Sequence, residues 1–182
     1  MFLCKFKKKT EPFFTSESGV TAIEFAIIAP IFFIIIISIL EVGYTFSKVA
    51  MLDYSVSVTT RELYTGTAAN GQIAHDEIEQ NICNNMSVLA GSNCTANLLV
   101  ELITINDVTD LPSDDAQCRD EALNINPVVQ FDPGGSSETV FMRVCFLTNF
   151  LVPGIGFGLQ LPVEASGKYA IIASSAFVNE PF

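Results

Sequence analysis

Three hydrophobic regimes follow one another along the 182-residue chain. The first is unbroken. Phe25 to Leu40 is sixteen residues without a charge, bracketed by Glu24 and Glu41. Extended back to Val20 the stretch is twenty-one residues. As a helix it would span about 31 Å, close to the hydrocarbon thickness of a bilayer. Pro30 lies inside it, which a membrane-spanning helix tolerates because neighbouring groups re-satisfy the freed carbonyl. The second regime has helical period. Tyr44, Lys48, Met51, Leu52, Ser55, Val58, Arg61, Glu62 and Leu63 continue a 3.6-residue pattern to about Tyr64, with Gly66 as a C-cap. Val56, Val58, Thr59 and Thr60 are poor helix formers near its end. Asn70 to Leu89 reads as a second helix, with Ile73, Glu77, Ile78, Ile82 and Met86 near one side. From Asn97 the period becomes two, predicting strands at Leu98–Ile105, Glu138–Phe146 and Lys168–Val178. Antiparallel pairing of the last two is expected across the glycine-rich connection Val152–Pro162. The fold class is therefore α+β: a long N-terminal helix running into a small domain with a second helix and an antiparallel sheet.

Charge orients this arrangement. Four of nine basic residues, Lys5, Lys7, Lys8 and Lys9, precede the apolar run, while only Glu11 and Glu17 of the twenty acidic residues do. The basic flank holds the N-terminus in the cytoplasm and places the body outside. The formal charge of −11 repels phosphate backbones and argues against nucleic acid as a partner. Mean hydropathy of +0.43 is too high for an ordinary soluble domain and is accounted for by a membrane segment. A cleaved secretory signal has the same order of parts. Its apolar core is usually only about 7–15 residues, and it has no use for a carboxylate at Glu24. Three parts follow: a basic leader 1–19, a transmembrane helix 20–42 and an extracytoplasmic α+β domain 43–182.

Glu24 is the most informative position. A carboxylate one turn into hydrocarbon costs about 2.5–3.5 kcal/mol on insertion scales, so it needs a partner. The surrounding sequence is Ser18-Gly19-Val20-Thr21-Ala22-Ile23-Glu24-Phe25-Ala26. A cut after Gly19 would make Val20 the new N-terminus and give Glu24 an α-ammonium as its counter-charge. Within one helix the two are i and i+4. Between neighbouring subunits, the same pair would set an axial register. Glu41, beside Gly43 and Tyr44, reads instead as an ordinary interfacial charge next to an aromatic belt.

Gly19, Glu24 and Phe25, with the basic leader and apolar helix, resemble the class III signal of type IV pilins and pseudopilins. More narrowly, Gly19 to Pro30 followed by Glu41-Val42-Gly43-Tyr44 resembles TadE-like pseudopilins of the tight-adherence (Flp-type) pilus. The far end, Ala173 to Phe182 with Asn179-Glu180-Pro181-Phe182, is similar to that family's terminal strand and close. The resemblance implies a minor pilin. It would be processed between Gly19 and Val20 by a prepilin peptidase, and would assemble through Glu24 and Phe25. Its implied partners are other pilins and pseudopilins, an inner-membrane assembly platform and the lipid bilayer. The location implied is the bacterial inner membrane, single-pass, with the body periplasmic or extracellular. The alternative is an uncleaved membrane-anchored adaptor that never enters a fibre.

The remaining candidates are structural. Cys4 falls in the leader, which leaves Cys83, Cys94, Cys118 and Cys145 beyond the membrane. Four cysteines allow three pairings. Cys83–Cys94, closing a short loop, with Cys118–Cys145, tying an acidic loop to a strand, is the preferred set. An oxidising compartment supports disulfides. No metal-ligand spacing accompanies the one histidine, His75, which reads as part of a solvated helix face. Asp107, Asp110, Asp114, Asp115 and Asp120 crowd one loop but lack the alternation of a calcium loop, so a solvated acidic loop is the reading. No nucleophile elbow, phosphate loop or paired acid–base set is present, so neither a cofactor nor an enzyme activity is expected.

Overall fold

The computed structural model describes residues 19–64, 74–112, 116–120, 127–154 and 156–180. The leader with Cys4, the cap Gly66, Asp114, Asp115 and the terminal Pro181-Phe182 lie outside the described residues.

Helix α1, Val20–Glu62, is one continuous element of 43 residues that passes through Pro30 without ending. At 1.5 Å per residue it is about 65 Å long. Its two halves differ in what they touch. Most side chains from Val20 to Leu40 are exposed and none is buried, among them Ile23, Phe25, Ile31 and Phe33. From Glu41 onward one face is buried: Glu41, Lys48, Leu52, Ser55, Val56, Thr59 and Thr60. That stripe returns every three or four residues, the spacing of one helical face. Packing on this face overrides the weak propensity of Val56, Thr59 and Thr60. Regular α-helix ends at Glu62, slightly before the Tyr64 expected from periodicity.

Helix α2, His75–Met86, ends three residues before the predicted Leu89. Its predicted first residues, 70–73, lie outside the described residues. Ser87 adopts φ 54°, which stops the α-helix, and a 3₁₀ turn carries the chain on through Ala90. Ile78, Ile82 and Met86 form its inner face.

Strands β1 (Leu98–Ile105), β2 (Thr139–Thr148) and β3 (Tyr169–Val178) form one antiparallel sheet in the order β1-β2-β3. Leu98 pairs with Phe146 and Val100 with Val144, while Val144 pairs in turn with Ala173 and Phe146 with Ile171. Those residues share the face that meets the helices, α1 lying over β3 and α2 over β1. Leu52 and Val56 of α1, Ile78 and Ile82 of α2, and the inward strand residues make one core. The structure is thus α+β, a single sheet covered on one side by two helices.

On the opposite face Glu101 pairs directly across from Arg143, with 2.7 Å between carboxylate and guanidinium. The outer edge of β1 is occupied. The Leu102 N–H donates to the Gln130 carbonyl, and the Asp132 N–H donates back to the Leu102 carbonyl. At Val100 the edge carbonyl accepts from Nε2 of His75 at 2.8 Å. Because a carbonyl can only accept, Nε2 carries a proton. The ring also stacks on Phe131 at 4.6 Å. His75 is therefore not on a solvated face as its acidic neighbours suggested; it joins α2 to the sheet edge.

The terminal motif has a local explanation. Asn179 Nδ2 donates to the carbonyls of Pro133 and Gly135, and its N–H donates to Glu138. This closes the turn that starts β2. Gly134 there has φ +71°, and a Cβ would lie 2.7 Å from Val140, so only glycine fits.

Candidate functional site

The sequence-predicted stem residues sit at the free end of α1. Gly19 precedes the helix with φ −83° and ψ −17°, so the backbone is already turning into the helix at this position. Val20 begins the helix, and Glu24 lies one turn above it on the same side. Val20 and Phe25 are 54 % and 68 % exposed, and Glu24 is exposed as well. This stem presents a continuous apolar surface with one carboxylate near its tip. Among the described residues, α1 is the one helix long and apolar enough to cross a membrane. It fits a membrane-anchored protein.

At the other end of the apolar run the structure departs from the sequence reading. Glu41 is not an exposed interfacial charge; it is 1 % exposed. Its two carboxylate oxygens accept the backbone N–H groups of Leu151 and Val152, each at 2.9 Å. Two donors aimed at one carboxylate replace water, which is what burying the charge requires. Lys48, seven residues further along the same face, is also buried. Its ammonium donates to Thr148 Oγ1 and to the Asn149 carbonyl, and it lies 4.1 Å from the centre of the Tyr44 ring. Burial pulls the Lys48 ammonium down to a pKa of about 8, partly offset by the negative charge of Glu41. Thr45 and Tyr169 share a hydrogen bond of 3.2 Å, and Phe150 packs on the Tyr169 ring at 4.7 Å. Burial pushes the Tyr169 phenol above its ordinary value, so it stays neutral.

Together these residues form a collar where the stem enters the body. Sequence reasoning missed it because Glu41 was judged by its neighbours in the chain, and Lys48 was placed in the helical pattern without a buried role. The available signal was the spacing: Glu41, Lys48, Leu52 and Ser55 lie on one helical face, and that face becomes the core.

The four cysteines make two disulfides, Cys83–Cys94 and Cys118–Cys145. The first ties the end of α2 to the turn before β1. The second holds residues 116–120 against the outer face of the sheet. The adjacent Arg119 adds a clasp to α2: its guanidinium bonds Glu79, itself buried, at 3.0 Å and the Thr95 carbonyl at 2.9 Å. The described aspartates of the acidic loop face different tasks. Asp110 caps the N–H groups of Asn106 and Asp107, which holds its carboxyl below the usual range. Asp120 is buried and accepts the N–H of Ser166. Among the described residues no group of His, Cys, Asp or Glu is arranged to hold a metal ion.

Residues 19–61 match the family model described as TadE-like protein. The matched segment is α1 almost entire, stem and collar helix together, with α2 and the sheet beyond it. No curated protein matches the chain, and no solved structure does.

Proposed function

We propose that this TadE-like chain is a minor pilin, or pseudopilin, in the biogenesis of a Tad/Flp-type adhesion pilus. It is made with a basic leader, cut between Gly19 and Val20 by a prepilin peptidase, and held in the inner membrane with its body outside. Its working part is the stem. The freed Val20 ammonium neutralises Glu24, either within one helix or from the neighbouring subunit. Phe25 and the aliphatic residues above it pack against other pilin stems.

The observation that carries this reading is the placement of Glu24. It stands alone near the tip of a bare apolar helix, five residues past a glycine, within the segment that matches the TadE-like model. A carboxylate there costs about 2.5–3.5 kcal/mol to insert, which an adjacent ammonium offsets. Glu41, by contrast, is satisfied inside its own subunit.

N-terminal sequencing of the membrane-extracted protein is the test. Val20 as the first residue supports processing, Met1 marks an uncleaved anchor, and a start near residue 50 marks a secretory signal. Glu24→Gln is expected to leave membrane insertion intact and to impair pilus formation. Undiminished pilus formation by that variant would remove the charge-pairing mechanism.

A further inference from the structure

The connection between β2 and β3 does not remain on the body. Asn149 to Val163 contains no charged side chain, and it includes Phe150, Leu151, Val152, Phe157, Leu159 and Leu161. It leaves the sheet at the collar, where Glu41 takes the N–H groups of Leu151 and Val152. It then descends along the stem. Gly156, Phe157 and Gln160 line a groove shared with Ile34, Ile35, Ser38, Ile39 and Val42. Closest approach is at Gly156, with φ +67°, where a Cβ would fall 2.1 Å from the Ser38 hydroxyl. Several of its apolar residues are open: Leu151 is 50 % exposed, Leu159 69 % and Val163 58 %.

The groove residues place the loop at a definite height. Ser38 and Ile34 lie two and six residues below Leu40, the last residue of the uncharged run, or about 3 and 9 Å along the helix axis. If Leu40 marks the hydrocarbon boundary, the turn Gly156–Gln160 sits within the outermost part of the bilayer. Elements that lie in an interface are buried about 5–10 Å. The backbone suits that depth and no greater one. Irregular chain exposed to hydrocarbon would leave polar groups unpaired. Here Pro153 and Pro162 have no N–H to satisfy, Leu151 and Val152 are served by Glu41, and residues 156–160 form a 3₁₀ turn.

We infer that the 149–163 loop is a second membrane contact. It dips into the headgroup and upper acyl region of the outer leaflet beside the stem, with Leu159 in lipid and Phe157 at the lipid edge of the groove against the stem. The occupant is a lipid surface because the loop continues the apolar surface of the stem at the same height. This inference rests on the membrane-anchored reading of the stem, and not on cleavage or fibre entry.

The chain contains no tryptophan, so one introduced residue reports its own surroundings. The full chain carrying Leu159→Trp or Phe157→Trp is reconstituted in vesicles of phosphatidylethanolamine and phosphatidylglycerol. Part of the lipid is brominated near the carboxyl end of its acyl chains. Phe33→Trp in the stem and Tyr54→Trp in the body serve as references. The expected result is strong quenching of both loop tryptophans by brominated lipid, with at least severalfold weaker quenching by aqueous acrylamide than at position 54. Quenching by acrylamide and not by lipid overturns the proposal. Shielding from both quenchers also overturns it and assigns the loop to protein contact. If the position 33 reference fails to be quenched by lipid, the membrane reading falls too; if it is quenched while the loop is not, only this inference falls.

Discussion

Replacing Glu41 with alanine tests the collar most directly. The carboxylate is 1 % exposed and accepts two backbone N–H groups at 2.9 Å. Truncation leaves both donors without their acceptor, at about 1–3 kcal/mol each for buried groups. It also withdraws the negative charge that favours the Lys48 ammonium. A loss of about 2–6 kcal/mol follows, where an ordinary surface charge would change stability by only about 0.5 kcal/mol. Glu41→Gln keeps the shape and one acceptor but turns an amide N–H₂ toward a donor, so its loss should fall between wild type and Glu41→Ala. The assay is urea unfolding in detergent followed by circular dichroism, paired with chymotrypsin cleavage in the 149–160 loop. If opening is local, 2 kcal/mol raises the open population about thirtyfold and the cleavage rate with it. Unfolding energies within about 0.5 kcal/mol of wild type, together with an equally resistant loop, would refute the buried-acceptor argument.

Other expectations follow from the same geometry. The Lys48 pKa lies below its unfolded value of 10.5, so between about 8 and 10.5 the unfolded chain binds more protons and stability rises with pH. Tyr169, shifted upward, opposes this above its ordinary value of 10.0, so the rise is best read from pH 8 to 10 and should flatten in Lys48→Met. Gly156→Ala should release the loop from the stem, seen as faster chymotrypsin cleavage than wild type, because its φ is +67° and Ser38 occupies the Cβ position. Replacing Cys83 and Cys94 with serine should cost about 3 kcal/mol on the chain-entropy account, and Cys118 with Cys145 about 3.5 kcal/mol, measured by urea unfolding. Equal stability after reduction of either bond would contradict that account.

What could be read from the chain alone tracks how local the determining physics is. The apolar run and the period-two strands announce themselves because side-chain direction depends only on secondary structure. The C-terminal end of α2 was less legible, since Ser87 at positive φ ends the α-helix where hydrophobic pattern would continue it. Glu41 and His75 were misplaced for a shared reason. Each has acids or interfacial residues beside it in sequence, yet its partners come from far away: Leu151 and Val152 for Glu41, Val100 and Phe131 for His75. A polar residue bound to distant backbone leaves no local pattern. Its position on a buried helical face is the one hint.

The two carboxylates that bracket the apolar run therefore have opposite fates, and the contrast says where association belongs. Glu41 is enclosed by loop backbone from the same chain, so the body can fold around its section of α1 without help. Tertiary packing there, from Leu52 and Val56 to the sheet, accounts for a helix whose β-branched residues would not hold it alone. Glu24 and the residues around it have the reverse character. From Val20 to Leu40 the helix buries no side chain. Lipid satisfies its aliphatic surface but not a carboxylate. Two helices in hydrocarbon gain little from apolar contact alone, because lipid tails are equally apolar; polar pairing and close fit decide whether they associate. Glu24 is the acidic side chain within this span, so on the proposed pilin reading it is where one stem would distinguish another stem from lipid. Variants of the collar should accordingly disturb folding and leave any correctly folded fraction competent, whereas Glu24 variants should fold normally and fail to associate.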